Sequence, residues 1–395
     1  MKPLSVSFSQ IIFALCLLGC DGAVIQVLCA VPGVTSSDGC PARAKITSPP
    51  AGPAGPLVWS ARVESTFEFP PETEAIAPPA RRWKSDPHFV TANGRQHFFF
   101  SGSDARSMAS RWSLSVYQDL ALPTPRSESW ELLNGASSSG WDRGDLVAPF
   151  AVYKTDGAWS LYYAASGDPD KPDYVLQVGR STSPDLKTWA RESKPVIATP
   201  SFASGIPSEK RPDAYGATDP WVFQDGSDVY LYYAGLDCVQ DGCRFQILRS
   251  RSLDGGATFP PGDVVLSGRD GVPEEAGGVA GPSVIKYKDK YLLLYTRVQQ
   301  VAQKQRESIR LAIQTGTVGM ATSDDGKEFR FNIPNAAPLV SRLAGPTSYR
   351  SEGIFSPSLF VEADRLQTWL AGSKQDAGGT YFGIVRAELL LTPEH

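Results

Sequence analysis

One pattern recurs five times between Trp83 and the chain end, and it limits the folds open to this chain more than any other feature. A small or acidic residue precedes a proline. Apolar residues, a turn and an aromatic-rich run follow. The copies are Ser85-Asp86-Pro87-His88-Phe89-Val90 with His97 to Ser101, Val147-Ala148-Pro149-Phe150-Ala151-Val152 with Trp159 to Ala164, and Thr218-Asp219-Pro220-Trp221-Val222-Phe223 with Val229 to Ala234. The last two are Ala280-Gly281-Pro282-Ser283-Val284-Ile285 with Tyr291 to Thr296, and Phe355-Ser356-Pro357-Ser358-Leu359-Phe360 with Thr368 to Gly372. Between the two runs stand Asn93-Gly94, Asp156-Gly157, Asp225-Gly226, Lys288-Asp289 and Ala363-Asp364. Asn-Gly and Asp-Gly steps supply the positive φ angles of tight hairpins, so each unit reads as an antiparallel pair.

Three units show a second half. Gly179 to Ser183 leads to Pro184-Asp185-Leu186-Lys187-Thr188-Trp189, Leu248 to Ser252 leads to Asp254-Gly255-Gly256-Ala257-Thr258-Phe259, and Gly319 to Ser323 leads to Asp325-Gly326-Lys327-Glu328-Phe329. Each reads as a third strand, a turn and a short outer strand. Four strands repeated at spacings of 62 to 75 residues between the prolines make blades. The fold class expected is all-β, a five-bladed β-propeller of four-stranded antiparallel blades over residues 80–395. With 36 Gly, 32 Pro and 10% aromatic residues among 395, the composition suits a turn-rich β protein. A net charge of −4 without a basic stripe gives no electrostatic reason to expect nucleic acid.

The N-terminus reads as a targeting segment. Lys2 precedes a mostly apolar run from Leu4 to Leu18, too short for a comfortable membrane span. It ends in Leu17-Leu18-Gly19-Cys20, which resembles the lipobox of bacterial lipoproteins, whose cysteine is acylated. The expected organisation is a signal peptide over 1–19, a tether and lead-in over 20–79 and the propeller thereafter. The alternative is a conventional signal peptide cut after Ala23 or Ala30. The lipobox implies an exported cell-envelope lipoprotein, periplasmic or surface-facing, that meets the membrane through lipid on Cys20. Of the remaining cysteines, Cys29 with Cys40 and Cys238 with Cys243 each close a short loop, the form of local disulfides in an oxidising compartment. Free thiols are the alternative. Only three histidines exist and none lies near these pairs, so no metal site is expected there.

From about Trp83 to Arg386 the units resemble the five-bladed propeller shared by glycoside hydrolase families 43, 32 and their relatives. The resemblance implies a general base in the first blade, where Asp86 stands, and a residue in the third blade that orients and tunes the acid, where Asp219 stands. Ala148-Pro149 matches the second blade. The fourth blade departs from the pattern: Ala280-Gly281-Pro282 aligns with a Glu-Gly-Pro whose Glu is the general acid, so Ala280 takes the place of the acid.

Glycoside hydrolysis needs two carboxyl groups flanking the bond, one to protonate the leaving oxygen and one to activate water or attack. Alanine donates no proton, and three ways out are open. A displaced acid can serve, with Glu274, Glu275 and Glu352 as candidates. One aspartate can act alone with phosphate as attacker, for which Arg297 and Arg350 are the kind of groups required. Or hydrolysis has been lost and the propeller only binds carbohydrate or a protein partner. The plainer readings are solvated loop residues for the three glutamates and ion-pair or surface residues for the two arginines. His88 and Trp221 are candidates for substrate contact, against packing roles. The segment from Arg297 to Gly316 interrupts blade four; Ile309, Leu311 and Ile313 alternate as in a strand, and Gln299 to Glu307 form an excursion that gates the funnel or is a loop. The expected substrate is a furanoside- or xyloside-containing glycan, with no organic cofactor, no metal, no nucleic acid and a monomeric state.

Overall fold

The computed structural model describes residues 59–69, 83–92, 94–103, 112–118, 129–155, 157–167, 175–200, 210–239, 242–301, 306–331, 338–340, 342, 351–362, 364–376 and 379–393. The signal segment, Cys20, Cys29, Cys40 and Arg350 lie outside them.

The first strand, β1 (Trp59–Phe69), is the outer strand of the last blade. Blade one holds β2 (Trp83–Ala92), β3 (Arg95–Ser103), β4 (Ser113–Gln118) and β5 (Ser129–Leu133). Blade two holds β6 (Leu146–Thr155), β7 (Ala158–Ser166), β8 (Leu176–Ser183) and β9 (Ala190–Arg191). Blade three holds β10 (Gly216–Asp225), β11 (Asp228–Val239), β12 (Gly242–Ser252) and β13 (Asp263–Ser267). Blade four holds β14 (Val279–Tyr287), β15 (Lys290–Arg297), β16 (Thr317–Ser323) and β17 (Arg330–Phe331). Blade five combines β18 (Gly353–Glu362), β19 (Arg365–Asp376) and β20 (Gly379–Pro393) with β1. All five sheets are antiparallel and four-stranded, and their inner strands β2, β6, β10, β14 and β18 touch in a closed ring.

Strand β1 falls in the stretch read as tether and lead-in. It pairs with β20 from Trp59 opposite Pro393 to Phe69 opposite Ile384, with a bulge after Val63. A strand from before blade one therefore completes the fifth blade as its outer strand, which ties the last blade of the ring to the segment that precedes the first.

Each inner strand carries the same irregularity. Pairing with the second strand skips between Ser85 and His88, Val147 and Phe150, Thr218 and Trp221, Ala280 and Ser283, and Phe355 and Ser358. At each skip the residue before the proline has a positive φ: 52° at Asp86, 51° at Ala148, 52° at Asp219, 57° at Gly281 and 47° at Ser356. The proline removes a ladder donor and the bulge re-aims the preceding side chain. Only Gly281 takes this conformation freely; the other four cost on the order of 1–3 kcal/mol each, strain that the closed ring must hold.

Neighbouring blades are tied by the second halves of the units. Tyr162 donates to the Gly256 carbonyl at 2.6 Å, and Tyr232 donates to Gly326 at 2.8 Å, each reaching the turn of the next blade. Those turns are self-bonded: Ser252 donates to Asp254 at 2.7 Å and Ser323 to Asp325 at 2.9 Å. Cys238 and Cys243 form a disulfide across the β11–β12 hairpin.

The segment between β15 and β16 is a helix, α1 (Arg306–Gln314), not the strand that the alternation of Ile309, Leu311 and Ile313 predicts. Ile309 and Ala312 are buried while Leu311 is 54% exposed. The buried face follows a helical i, i+3 step, and the alternating leucine points to solvent.

Candidate functional site

The five pre-proline steps meet on the axis. Asp86-Pro87, Ala148-Pro149, Asp219-Pro220, Gly281-Pro282 and Ser356-Pro357 all line one central cavity of about 320 Å³. Asp86, Asp219 and Ser356 also line a larger cavity of about 640 Å³ at the N-terminal ends of the inner strands. Its further walls include Trp112, Val147, Phe245, Ile309, Arg310 and Gln314. Among the described residues, Asp86 and Asp219 are the carboxyl side chains in its lining.

The two aspartates occupy equivalent places, and each accepts from the backbone N–H of the pre-proline residue one blade on. Ala148 donates to Asp86 Oδ2 at 3.2 Å, and Gly281 donates to Asp219 Oδ2 at 3.1 Å. Their remaining partners differ. Asp86 takes hydroxyls from Ser85 at 2.9 Å, Ser101 at 2.6 Å and Ser356 at 2.7 Å. Asp219 takes the Thr218 hydroxyl at 3.2 Å. Burial, and after it the negative charge of Asp86, pushes the Asp219 carboxyl up to about 7; the Gly281 N–H and Thr218 hydroxyl pull the other way without prevailing. Such a group carries a proton for a good part of the time at neutral pH.

Ala280, in the place of the expected acid, is fully buried. It packs in one apolar cluster with Leu176, Phe245, Ile309 and Ala312, so α1 adds its apolar face beside that position.

The structure removes Glu275 from the funnel. The Glu275 side chain is fully buried and outside the cavity lining. It accepts from Arg269 N at 2.8 Å, Arg269 Nε at 3.0 Å, Arg269 Nη2 at 2.6 Å and Arg297 Nε at 3.1 Å. Burial raises its pKa, but the hydrogen bonds and charges of the two arginines outweigh burial and leave it lowered, the opposite of what a proton donor needs. It also belongs to a structural series. Asp142 accepts from Tyr163 at 2.9 Å and pairs with Arg191, and Asp213 accepts from Tyr233 at 2.9 Å and pairs with Arg211. Glu275 pairs with Arg269 in the same way, and its charge adds to the burial that raises the pKa of Tyr295, the tyrosine of blade four. Asp142, Asp213 and Glu275 each lie six residues before the pre-proline residues Ala148, Asp219 and Gly281. A blade-anchoring acid thus explains all three.

The other candidates scatter. Arg297 is fully buried against Glu275 and, at 3.4 Å, Glu274, whose side chain is 49% exposed. Glu352 is half-buried just ahead of β18, its backbone N–H on the Ser373 carbonyl, and it is not in the lining of either cavity. His88 and Trp221 line the smaller, axial cavity. They form a packed aromatic group with Phe150, at centroid distances of 4.1 Å from Phe150 to His88 and 4.4 Å from Phe150 to Trp221. The Trp221 indole N–H is spent on the Val284 carbonyl at 2.7 Å.

Sequence reasoning missed the walls of the larger cavity. Arg310 of α1 donates to Asp145 at 2.9 Å and lies over the Trp112 ring, with its guanidinium carbon 5.3 Å from the ring centroid. The buried Gln314 Oε1 has no hydrogen-bond partner. The Ser101 hydroxyl was legible in register, since Ser101 pairs opposite Ser85.

No protein-family model matches the sequence, and no curated protein does. Solved structures match its fold. A family 117 glycoside hydrolase from the marine bacterium Zobellia galactanivorans superposes with a TM-score of 0.56 at 12% identity, over 84% of this chain and 91% of that one. A thermostable family 43 glycoside hydrolase gives 0.54 at 14% identity, over 79% and 93%. The catalytic domain of a Coprinopsis cinerea family 62 α-L-arabinofuranosidase gives 0.53 at 16% identity, over 84% and 97%. The chain is therefore a five-bladed β-propeller of the fold that these glycoside hydrolases share.

Proposed function

We propose that this protein is an exported glycoside hydrolase acting on a furanoside- or xyloside-containing glycan, with Asp86 and Asp219 as its working carboxyls. One observation carries the reading: two aspartates from different blades, both held at positive φ, line a single cavity together. Converging carboxyls in the lining of one pocket are the marks of a reactive site. TM-scores of 0.53 to 0.56 at 12–16% identity give this chain the fold that several glycoside hydrolases use. Export and attachment through lipid on Cys20 belong to the same proposal and rest on the Leu17-Leu18-Gly19-Cys20 motif.

The buried Ala280 favours a second reading, a propeller that binds glycan without cleaving it. Soluble protein beginning after Cys20 would be assayed on aryl arabinofuranosides, xylosides and fructosides and on the matching polysaccharides, with and without phosphate, beside Asp86→Ala. Turnover that disappears in the variant supports the hydrolase. Glycan binding without turnover selects the second reading.

A further inference from the structure

Resting on the hydrolase reading, the geometry points to Asp219 as the proton donor and Asp86 as the base, so that acid and base come from blades three and one. Ala280 is closed over: it has no exposure and shares its cluster with Ile309 and Ala312 of α1. Glu275 is consumed by Arg269 and Arg297. In the cavity lining Asp86 and Asp219 remain, and their surroundings differ in kind.

Asp86 receives three hydroxyl donors, from Ser85, Ser101 and Ser356, and shares the Ala148 N–H, whose shorter bond at 2.8 Å goes to Ser101 Oγ. Asp219 receives two, at 3.1 and 3.2 Å, and shares its cavity wall with Ala217, Leu236 and Phe245. An apolar wall and a nearby negative charge favour the protonated acid, which accounts for a pKa of about 7. A carboxyl that keeps its proton, in the same lining as a carboxyl surrounded by hydrogen-bond donors, divides the roles of acid and base.

In the step proposed, the Asp219 proton passes to the glycosidic oxygen as its bond to the anomeric carbon breaks. The electron pair of that bond leaves with the oxygen, and the aglycone departs as an alcohol. Water bonds to the anomeric carbon and gives a proton to Asp86. Solvent then returns a proton to Asp219 and removes one from Asp86.

The test is a leaving-group series of aryl and alkyl glycosides on wild type, Asp86→Asn, Asp219→Asn and Thr218→Val. Positioned general acids contribute about a hundredfold or more. Asp219→Asn should lose about that much on alkyl glycosides, and less than about tenfold on dinitrophenyl glycosides, whose leaving group needs no proton. The alkaline limb of kcat/KM, near 7 in wild type, should vanish in Asp219→Asn. In Thr218→Val it should move upward, because a hydroxyl that stabilises the ionised form is gone. Equal losses across the series, or an unmoved limb in Thr218→Val, would overturn the assignment while leaving the hydrolase reading intact. A wild type that cleaves no glycoside overturns both.

Discussion

Replacing Glu275 separates a structural from a catalytic role for this residue. Its carboxylate carries two arginines, and both it and Arg297 are fully buried. Glu275→Ala removes the bonds at 2.6, 2.8, 3.0 and 3.1 Å and leaves Arg297 facing the half-exposed Glu274 at 3.4 Å. Breaking one side of a buried pair costs about 3–5 kcal/mol, because the surviving charge stays desolvated. At roughly 2–4 °C per kcal/mol for a large domain, Tm should fall by roughly 6–20 °C. The sign with pH follows from the lowered pKa. The wild-type advantage is present above the unfolded carboxyl pKa of about 4.3 and is lost as pH falls through the lower folded value. Differential scanning calorimetry between pH 3 and 8 reads this directly, and turnover per folded molecule should stay within about threefold of wild type below the transition. An unchanged Tm together with lost turnover would refute the structural reading and return Glu275 to the active site.

Further outcomes follow from the same geometry. Asp219→Asn should stabilise the protein at pH 8 more than at pH 4, since a raised carboxyl pKa favours the folded state below the unfolded pKa and that contribution is lost as pH rises through about 7; thermal melts at the two pH values check it. Ala280→Glu should not create a working acid but should destabilise by about 3 kcal/mol or more, because it forces a carboxyl into a packed apolar cluster; melts and activity read together decide it. Tyr232→Phe should cost about 1 kcal/mol by leaving the Gly326 carbonyl unpaired, measured by urea unfolding. Gln314→Ala should raise KM more than it lowers kcat if the unpartnered Oε1 receives a sugar hydroxyl in the cavity; kinetics on the best substrate of the panel read the split.

The ring was legible because its driving signal repeats. Five prolines, each after a small or acidic residue and before an alternating run, set the inner strands, and the kink at each is what brings Asp86 and Asp219 to the axis. Strand β1 escaped notice although Trp59, Ala61 and Val63, then Phe67 and Phe69, alternate, because proline-rich flanks on both sides read as tether. Helix α1 is not legible in the sequence because Ile309, Leu311 and Ile313 alternate with a two-residue period. Ala312, a weak apolar signal, completes the helical face. The role of Glu275 was hidden by its nearness to blade four. The six-residue spacing it shares with Asp142 and Asp213 is in the sequence, but Tyr163 and Tyr233 lie on the second strands of their blades, about twenty residues on, and Arg191 is farther still, so these partners join only in the fold. Arg310, Gln314 and Trp112 come from segments outside the repeat, so no internal comparison singles them out.

The most direct test is a crystal structure of Asp86→Asn soaked with the oligosaccharide that wild type cleaves best. The scissile bond should lie in the funnel, with the glycosidic oxygen within hydrogen-bond reach of Asp219 and the residue at position 86 facing the anomeric carbon across a water. A sugar bound outside the cavity, or a glycosidic oxygen in contact with Glu274, Glu275 or Glu352 instead, would contradict the assignment.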